Sequence, residues 1–158
     1  MRNWHSAWFC NGNQEQRQFR IPHSALRNPN LIMKQLHNTP NAPLPIGPYN
    51  QAASFNGMLF VSGQIAINPA NNELVLDNIE AETHQVLKNV GAILEAAGSS
   101  YEKVIKASVF VKDMNLFSRI NAVYAEYFKP EFAPARELVQ VSELPRFVNI
   151  EISVIAQL

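Results

Sequence analysis

Residues 51–67 read QAASFNGMLFVSGQIAI, and the fold is decided there. Two strand-like runs, Gln51 to Phe55 and Met58 to Ile67, flank Asn56-Gly57, a pair that tolerates positive φ and so suits a two-residue type I′ hairpin turn. Just upstream, residues 41–48 (NAPLPIGP) hold three prolines and a glycine. Such a stretch is stiff and irregular, and it delivers Tyr49 to a fixed place.

Downstream of the hairpin the period changes. Asp77 with Glu80 three residues on predicts an N-cap and capping box. Ile79, Val86, Val90, Ile93, Leu94 and Ala97 follow at helical spacing, and Gly98 supplies the stop. Residues 104–111 (VIKASVFV) are rich in β-branched side chains, and alternation puts Ile105, Ala107, Val109 and Val111 on one face. A second helix, about Leu116 to Phe128, aligns Phe117, Ile120, Tyr124 and Phe128 on one stripe. Glu137 to Ser142 and Val148 to Ala156 alternate as strands, connected through Leu144-Pro145-Arg146-Phe147. This order predicts an α+β fold, a sheet packed on one face by two α-helices. The other face would carry Met58, Phe60, Ser62, Gln64, Val104, Lys106, Ser108, Phe110, Gln140, Asn149, Glu151 and Ser153. That mixture is too apolar for an ordinary wet surface and too polar for a monomer's core, which predicts an oligomer that buries it.

The 158 residues, 47% apolar and 16% charged, suit one globular domain. Bases and acids number 13 each, so no global field draws in nucleic acid or an anionic membrane. The balance is uneven along the chain. Residues 1–32 carry four Arg (Arg2, Arg17, Arg20, Arg27) against Glu15, which leaves nine bases and twelve acids beyond them. That leader shows no sustained period of 2 or 3.6 and reads as a disordered extension. Three origins compete for it: an in-frame start upstream of a true one at Met33, an Arg-rich organellar transit segment, or a partner-binding arm. The first is favoured. The domain proper is then 33–158. The single Cys10 forms no intramolecular disulfide, and a reducing, cytoplasmic setting fits. No run approaches the roughly 20 apolar residues of a membrane span.

Metal chemistry finds no framework, because His5, His23, His37 and His84 include no pair at ligand spacing. Ser62-Gly63 lacks the G-x-S-x-G elbow of a serine hydrolase, and no glycine-rich phosphate loop is present. No cofactor is expected. What remains is a polar set on apolar strands. Arg136 opens a strand after Ala133-Pro134-Ala135 and can present a two-pronged donor to a carboxylate. Alternation puts Arg136, Leu138 and Gln140 on one side. Glu151, between Ile150 and Ile152, points away from the helices into the mixed face. Two readings stay open for this pair: a satisfied ion pair at a subunit interface, or a catalytic pair facing one crevice with room for a small acid anion and a water.

Four stretches, NAPLPIGPYNQA, LFVSGQIAINP, KASVFVKDMNLFSRINAVYAEYF and PARELVQVSELP followed by VNIEISVIA, resemble the reactive intermediate deaminase (RidA-like) family over Met33 to Leu158. The resemblance implies a mixed sheet backed by two helices, similar to bacillus-type chorismate mutase, assembled as a homotrimer with a site in each subunit cleft. It implies hydrolytic deamination of enamines and imines such as 2-aminoacrylate to 2-keto acids and ammonia. Arg136 would clamp the carboxylate with help from the Leu138 backbone N–H, and Glu151 would activate water. Tyr49, Ser62 and Asn121 would line the pocket. Many deaminating members have Ser-Cys after the PAR motif, where this chain has Glu137-Leu138; the thiol's pocket contact is therefore gone. A non-catalytic trimer that binds 2-keto acids or a partner protein is the alternative. The ribonuclease or translation-inhibitor role attached to some relatives fits poorly with a body of net charge −3.

Overall fold

The computed structural model describes residues 33–158; the extension expected over residues 1–32 lies outside them. Eight strands and two helices follow one another: β1 (Gln35–His37), β2 (Ala52–Phe55), β3 (Met58–Gln64), β4 (Ile67–Asn68), β5 (Glu73–Leu74), α1 (Ile79–Ala96), β6 (Val104–Val111), α2 (Phe117–Tyr127), β7 (Ala135–Gln140) and β8 (Ile150–Gln157). Six of the strands make one sheet in the order β1-β2-β3-β8-β6-β7, and β4 with β5 makes a small ribbon. Only the β6–β7 pairing is parallel; the rest are antiparallel. The sheet is therefore mixed, as expected, and α1 and α2 pack together on one of its faces.

Phe55 pairs with Met58 across Asn56 and Gly57, whose φ values of 50° and 76° make the anticipated type I′ turn. Helix α1 starts one residue later than Asp77 predicts. Asn78 is its N-cap, with Oδ1 accepting from the Ala81 N–H at 2.9 Å. Glu80 is unavailable for a capping box because it takes a two-pronged bond from Arg119, at 2.6 Å on each arm. Gly98, at φ 81°, ends the helix as expected.

The helix-side core holds Leu59, Val86, Leu87, Val90, Ile93, Val109, Ile120 and Ile152, each at most 1% exposed. Burying each such side chain contributes on the order of 1.5–3 kcal/mol. Strand β6 corrects the expected face. The pairing with β8 slips between Val104 and Lys106, so Val104 is buried with Ala107, Val109 and Val111 while Ile105 is 49% exposed. A bulge of this kind inserts one residue and reverses the alternation before it. Phe117, expected on the buried stripe of α2, is 40% exposed at the helix start. The open face carries Phe60, Lys106, Ser108, Phe110, Glu137 and Glu151. There Glu137 accepts from Lys106 Nζ at 2.7 Å and from Ser108 Oγ at 2.5 Å.

Four residues assigned to that open face belong to the other side, Gln64 among them: past the β3 bulge it is the Cα partner of the buried Ile152 and is 5% exposed. Val104 is in the core. Gln140 is the Cα partner of the buried Val111 and accepts from the Met114 N–H at 3.0 Å. Asn149 lies just before β8, where alternation does not yet hold, and turns toward α1. Its N–H and side-chain amide both donate to the buried Glu82 carboxylate, at 2.6 and 2.8 Å. Among the described residues no helix is long and apolar enough to cross a membrane.

Candidate active site

The irregularity in β3 builds a first cavity. Between Val61 and Gln64 the pairing with β8 shifts, and Ser62 is tied instead to the chain entering β2. Its N–H donates to the Gln51 carbonyl at 2.9 Å and its hydroxyl to the Asn50 carbonyl at 2.7 Å. Gln51, 1% exposed, accepts from the Thr39 N–H at 2.6 Å and donates to the carbonyls of Thr39, Ala42 and Pro43. That buried amide fastens the proline-rich stretch to the sheet edge and so fixes the wall that Tyr49 ends.

On β8, Glu151 is the Cα partner of Phe110, and its carboxyl group lies against Gly63. A Cβ at position 63 would sit 2.7 Å from the carboxyl carbon, so the absence of a side chain there makes the space Glu151 occupies. Tyr49, Ser62, Gly63, Arg146 and Glu151 share a cavity of about 360 Å³ with an apolar wall that includes Ile65 and Ile67. Burial raises the pKa of Glu151 above its ordinary 4.5.

The second cavity lies on the other side of the sheet. Arg136 on β7 is the Cα partner of the fully buried Ala107, and alternation therefore sends it toward α2. Its Nη1 donates to Asn121 Oδ1 at 2.8 Å, and the guanidinium lies 4.7 Å from the centre of the Tyr124 ring. Asn121, Tyr124, Phe128, Pro134 and Arg136 line a cavity of about 430 Å³. Burial pushes the Tyr124 phenol up to about 12, against the opposing effect of Arg136, so it stays neutral at pH 7. Leu138 follows on the same side of β7, paired with Val109 and half-buried against the core.

The sequence puts Arg136 and Glu151 in one crevice; within one chain the structure separates them. The register Ala107↔Arg136 sets the guanidinium on the helix side, while Phe110↔Glu151 sets the carboxyl on the open side. Their partners on β6 are an odd number of residues apart, and successive side chains leave opposite faces. The ion pairs among the described residues are His84–Glu126, Lys106–Glu137, Lys112–Glu143 and Arg119–Glu80, and neither Arg136 nor Glu151 takes part. Tyr49, Ser62 and Glu151 thus form one group and Asn121 with Arg136 another, Leu138 lying beside the second. Gly63 and Gln51 escaped the sequence reading, although the S-G-Q run on an apolar strand marks the bulge.

Among the described residues no group of three or more His, Cys, Asp and Glu side chains is placed to hold a metal ion. His37 bonds Ser54 at 2.8 Å and His84 bonds Tyr127 at 3.0 Å; His5 and His23 lie outside the described residues.

A mixed sheet with two helices on one face, a carboxyl cavity on the open side and a guanidinium cavity on the helix side defines the class. A family model described as Endoribonuclease L-PSP matches residues 39–158. A RutC family protein of Pyrococcus horikoshii is 54% identical over 124 residues, covering 78% of this chain and 98% of its own. One from Synechocystis is 48% identical over 121 residues, covering 76% and 93%. Among solved structures, YyfA of the Rid protein family from Yersinia pestis superposes with a TM-score of 0.78 at 48% identity, over 80% of this chain and 100% of that one. E. coli TdcF, described with bound serine, gives 0.74 at 40% identity over 78% and 98%. The chain belongs to this Rid/RutC family.

Proposed function

We propose that the protein hydrolyses enamine and imine acids of the 2-aminoacrylate type to 2-keto acids and ammonia, at a site completed between two copies of the chain. One observation carries this reading: a half-buried carboxyl group with a raised pKa and a guanidinium without a carboxylate partner among the described residues lie on opposite faces of one sheet. They cannot neutralise each other inside a chain, so only a contact between copies could bring them together; turnover is what separates a shared site there from an interface ion pair. Each opens on the surface in its own cavity. In a cyclic homotrimer, the assembly implied by the family resemblance, a head-to-tail interface would bring the Glu151 cavity of one copy to the Arg136 cavity of the next.

In such a site the guanidinium of Arg136, aimed by Asn121, takes the substrate carboxylate through two parallel N–H donors. Leu138 beside it supplies an apolar contact, and its backbone N–H is a further donor to the carboxylate. The enamine first tautomerises to the imine, gaining a proton at its terminal carbon and losing one from nitrogen. Glu151 then accepts a proton from water as the water oxygen bonds to the imine carbon, and the imine nitrogen is protonated. The resulting carbinolamine loses ammonia as its hydroxyl proton leaves and the carbonyl forms. Ser62, whose proton is committed to Asn50, offers oxygen lone pairs to the water, and Tyr49 closes the wall. Holding the reactants together supplies most of the gain, and acid–base assistance adds about 10²–10⁴-fold. No metal or cofactor is needed for this hydrolysis.

The test is keto-acid and ammonia release from 2-aminoacrylate generated in situ. Arg136→Ala is expected to lose roughly 10–100-fold in kcat/KM, the worth of a charge-assisted bond; full activity would reject the clamp.

A second reading, a trimer that binds amino or keto acids without turnover, is favoured by the serine held in the E. coli TdcF structure. Calorimetric binding of a 2-keto acid with no turnover would select it. The family model's description names a ribonuclease, but residues 33–158 carry nine bases and twelve acids, a poor match to a polyanion. RNA cleavage abolished by Arg136→Ala would restore that role.

A further inference from the structure

The connection into β8 is strained over the Glu151 cavity. Arg146 and Phe147 have φ of 57° and 60°, and the Val148 N–H closes a turn on the Pro145 carbonyl at 3.5 Å. Positive φ at both central residues is the type I′ pattern, in which Asn and Gly predominate because a bulky side chain is disfavoured there. Here the two positions hold Arg and Phe. The turn is gripped from both ends: Leu144 is 7% exposed and Val148 0%, Pro145 fixes its own φ, and the Phe147 N–H donates to the Leu144 carbonyl at 3.0 Å. Backbone strain persists only where the surroundings over-determine it, and it gathers at functional positions.

The consequence of the strain is where Arg146 stands. It lines the same cavity as Glu151, Tyr49 and Ser62, yet takes part in no ion pair among the described residues. The lining of that cavity also includes the apolar Ile65, Ile67 and Pro145. The cavity measures about 360 Å³. At the ~30 Å³ share of one water molecule this is room for roughly a dozen waters, more than a three-carbon imino acid of about six non-hydrogen atoms needs. A five-carbon dicarboxylic imino acid, with about ten, also fits within that space.

We propose that Arg146 is a specificity residue that binds a second, distal carboxylate, so that the site prefers dicarboxylic imino and keto acids over monocarboxylic ones. The inference rests on the proposed site: the α-carboxylate goes to Arg136 of the neighbouring copy, the reacting carbon sits by Glu151, the methylene groups lie along Ile65 and Ile67, and the far carboxylate reaches Arg146.

The test uses the full-length protein and two stable keto acids, the five-carbon dicarboxylic 2-oxoglutarate and the four-carbon monocarboxylic 2-oxobutyrate, with Kd measured by calorimetry. Wild type is expected to bind the dicarboxylate about tenfold more tightly, the lower range for an exposed charge-assisted contact. Arg146→Ala should bring the two Kd values together without weakening 2-oxobutyrate, and Arg146→Lys should recover part of the difference. A Kd ratio unchanged by Arg146→Ala, or no binding of either acid by wild type, overturns the proposal. Turnover of the corresponding imines is measured in parallel. An Arg146-dependent Kd ratio without turnover would sink the deaminase and leave the specificity assignment standing; turnover with an Arg146-independent ratio would do the reverse.

Discussion

Gly63→Ala isolates the Glu151 carboxyl with a single methyl group. Gly63 does not have positive φ, so alanine meets no backbone penalty there. Its Cβ, however, would stand 2.7 Å from the Glu151 carboxyl carbon and 3.1 Å from Cγ, where ordinary contact begins at 3.4 Å. The carboxyl carbon must therefore retreat by about 0.7 Å (3.4 less 2.7), and the nearer oxygen by more. The moving part is the free end of a flexible side chain, half-buried beside a cavity. The fold should lose about 1 kcal/mol or less, the low end for overpacking. Chemistry should suffer far more, because a displacement of about 1 Å at a reacting group can cost on the order of 100-fold. The expected result is a thermal midpoint within roughly 4 °C of wild type, with imine hydrolysis reduced about 10–100-fold. If the variant hydrolysed 2-aminoacrylate at the wild-type rate, the carboxyl position would be irrelevant and Glu151 would not be the group that activates water.

Glu151→Gln tests the same carboxyl through pH. A raised folded-state pKa means that this group favours folding while protonated, an advantage lost as pH rises from its ordinary 4.5 through the raised value. The Gln variant should therefore melt higher than wild type at pH 7 and lose that lead below pH 4.5, which differential scanning at several pH values would reveal; a constant gap contradicts it. Glu82→Ala leaves the Asn149 N–H and amide without their buried acceptor. It should lower stability in urea by about 1–3 kcal/mol, and a neutral result would mean the buried carboxylate is dispensable.

Much of the fold is legible because its signals are local. Asn56-Gly57 needs only two residues to specify the hairpin, and the periods of α1 and α2 repeat over several turns. The errors arise where a distant partner decides. Alternation correctly puts Arg136, Leu138 and Gln140 on one side of β7, but which side faces the helices depends on the parallel register with β6, and no residue of β7 states it. The bulge at Val104–Lys106 reverses Ile105 for the same reason, since the extra residue is counted against β8. Gln51 and Glu82 are buried polar groups whose partners are 8 to 67 residues away in sequence, so neither motif nor period announces them. The site residues Arg136 and Glu151 are recognisable as charges on apolar strands, whereas their separation by the sheet becomes visible only in three dimensions.

Subunit complementation tests the shared site most directly. Arg136→Ala and Glu151→Gln are each purified, mixed in equal amounts, dissociated and reassembled. If every site takes its guanidinium from one copy and its carboxyl from the next, each half is intact with a chance of one in two, and about one quarter of the wild-type imine hydrolysis should return. A reassembled mixture as inactive as its two components would mean that both groups act from the same chain, which contradicts a site divided across the interface.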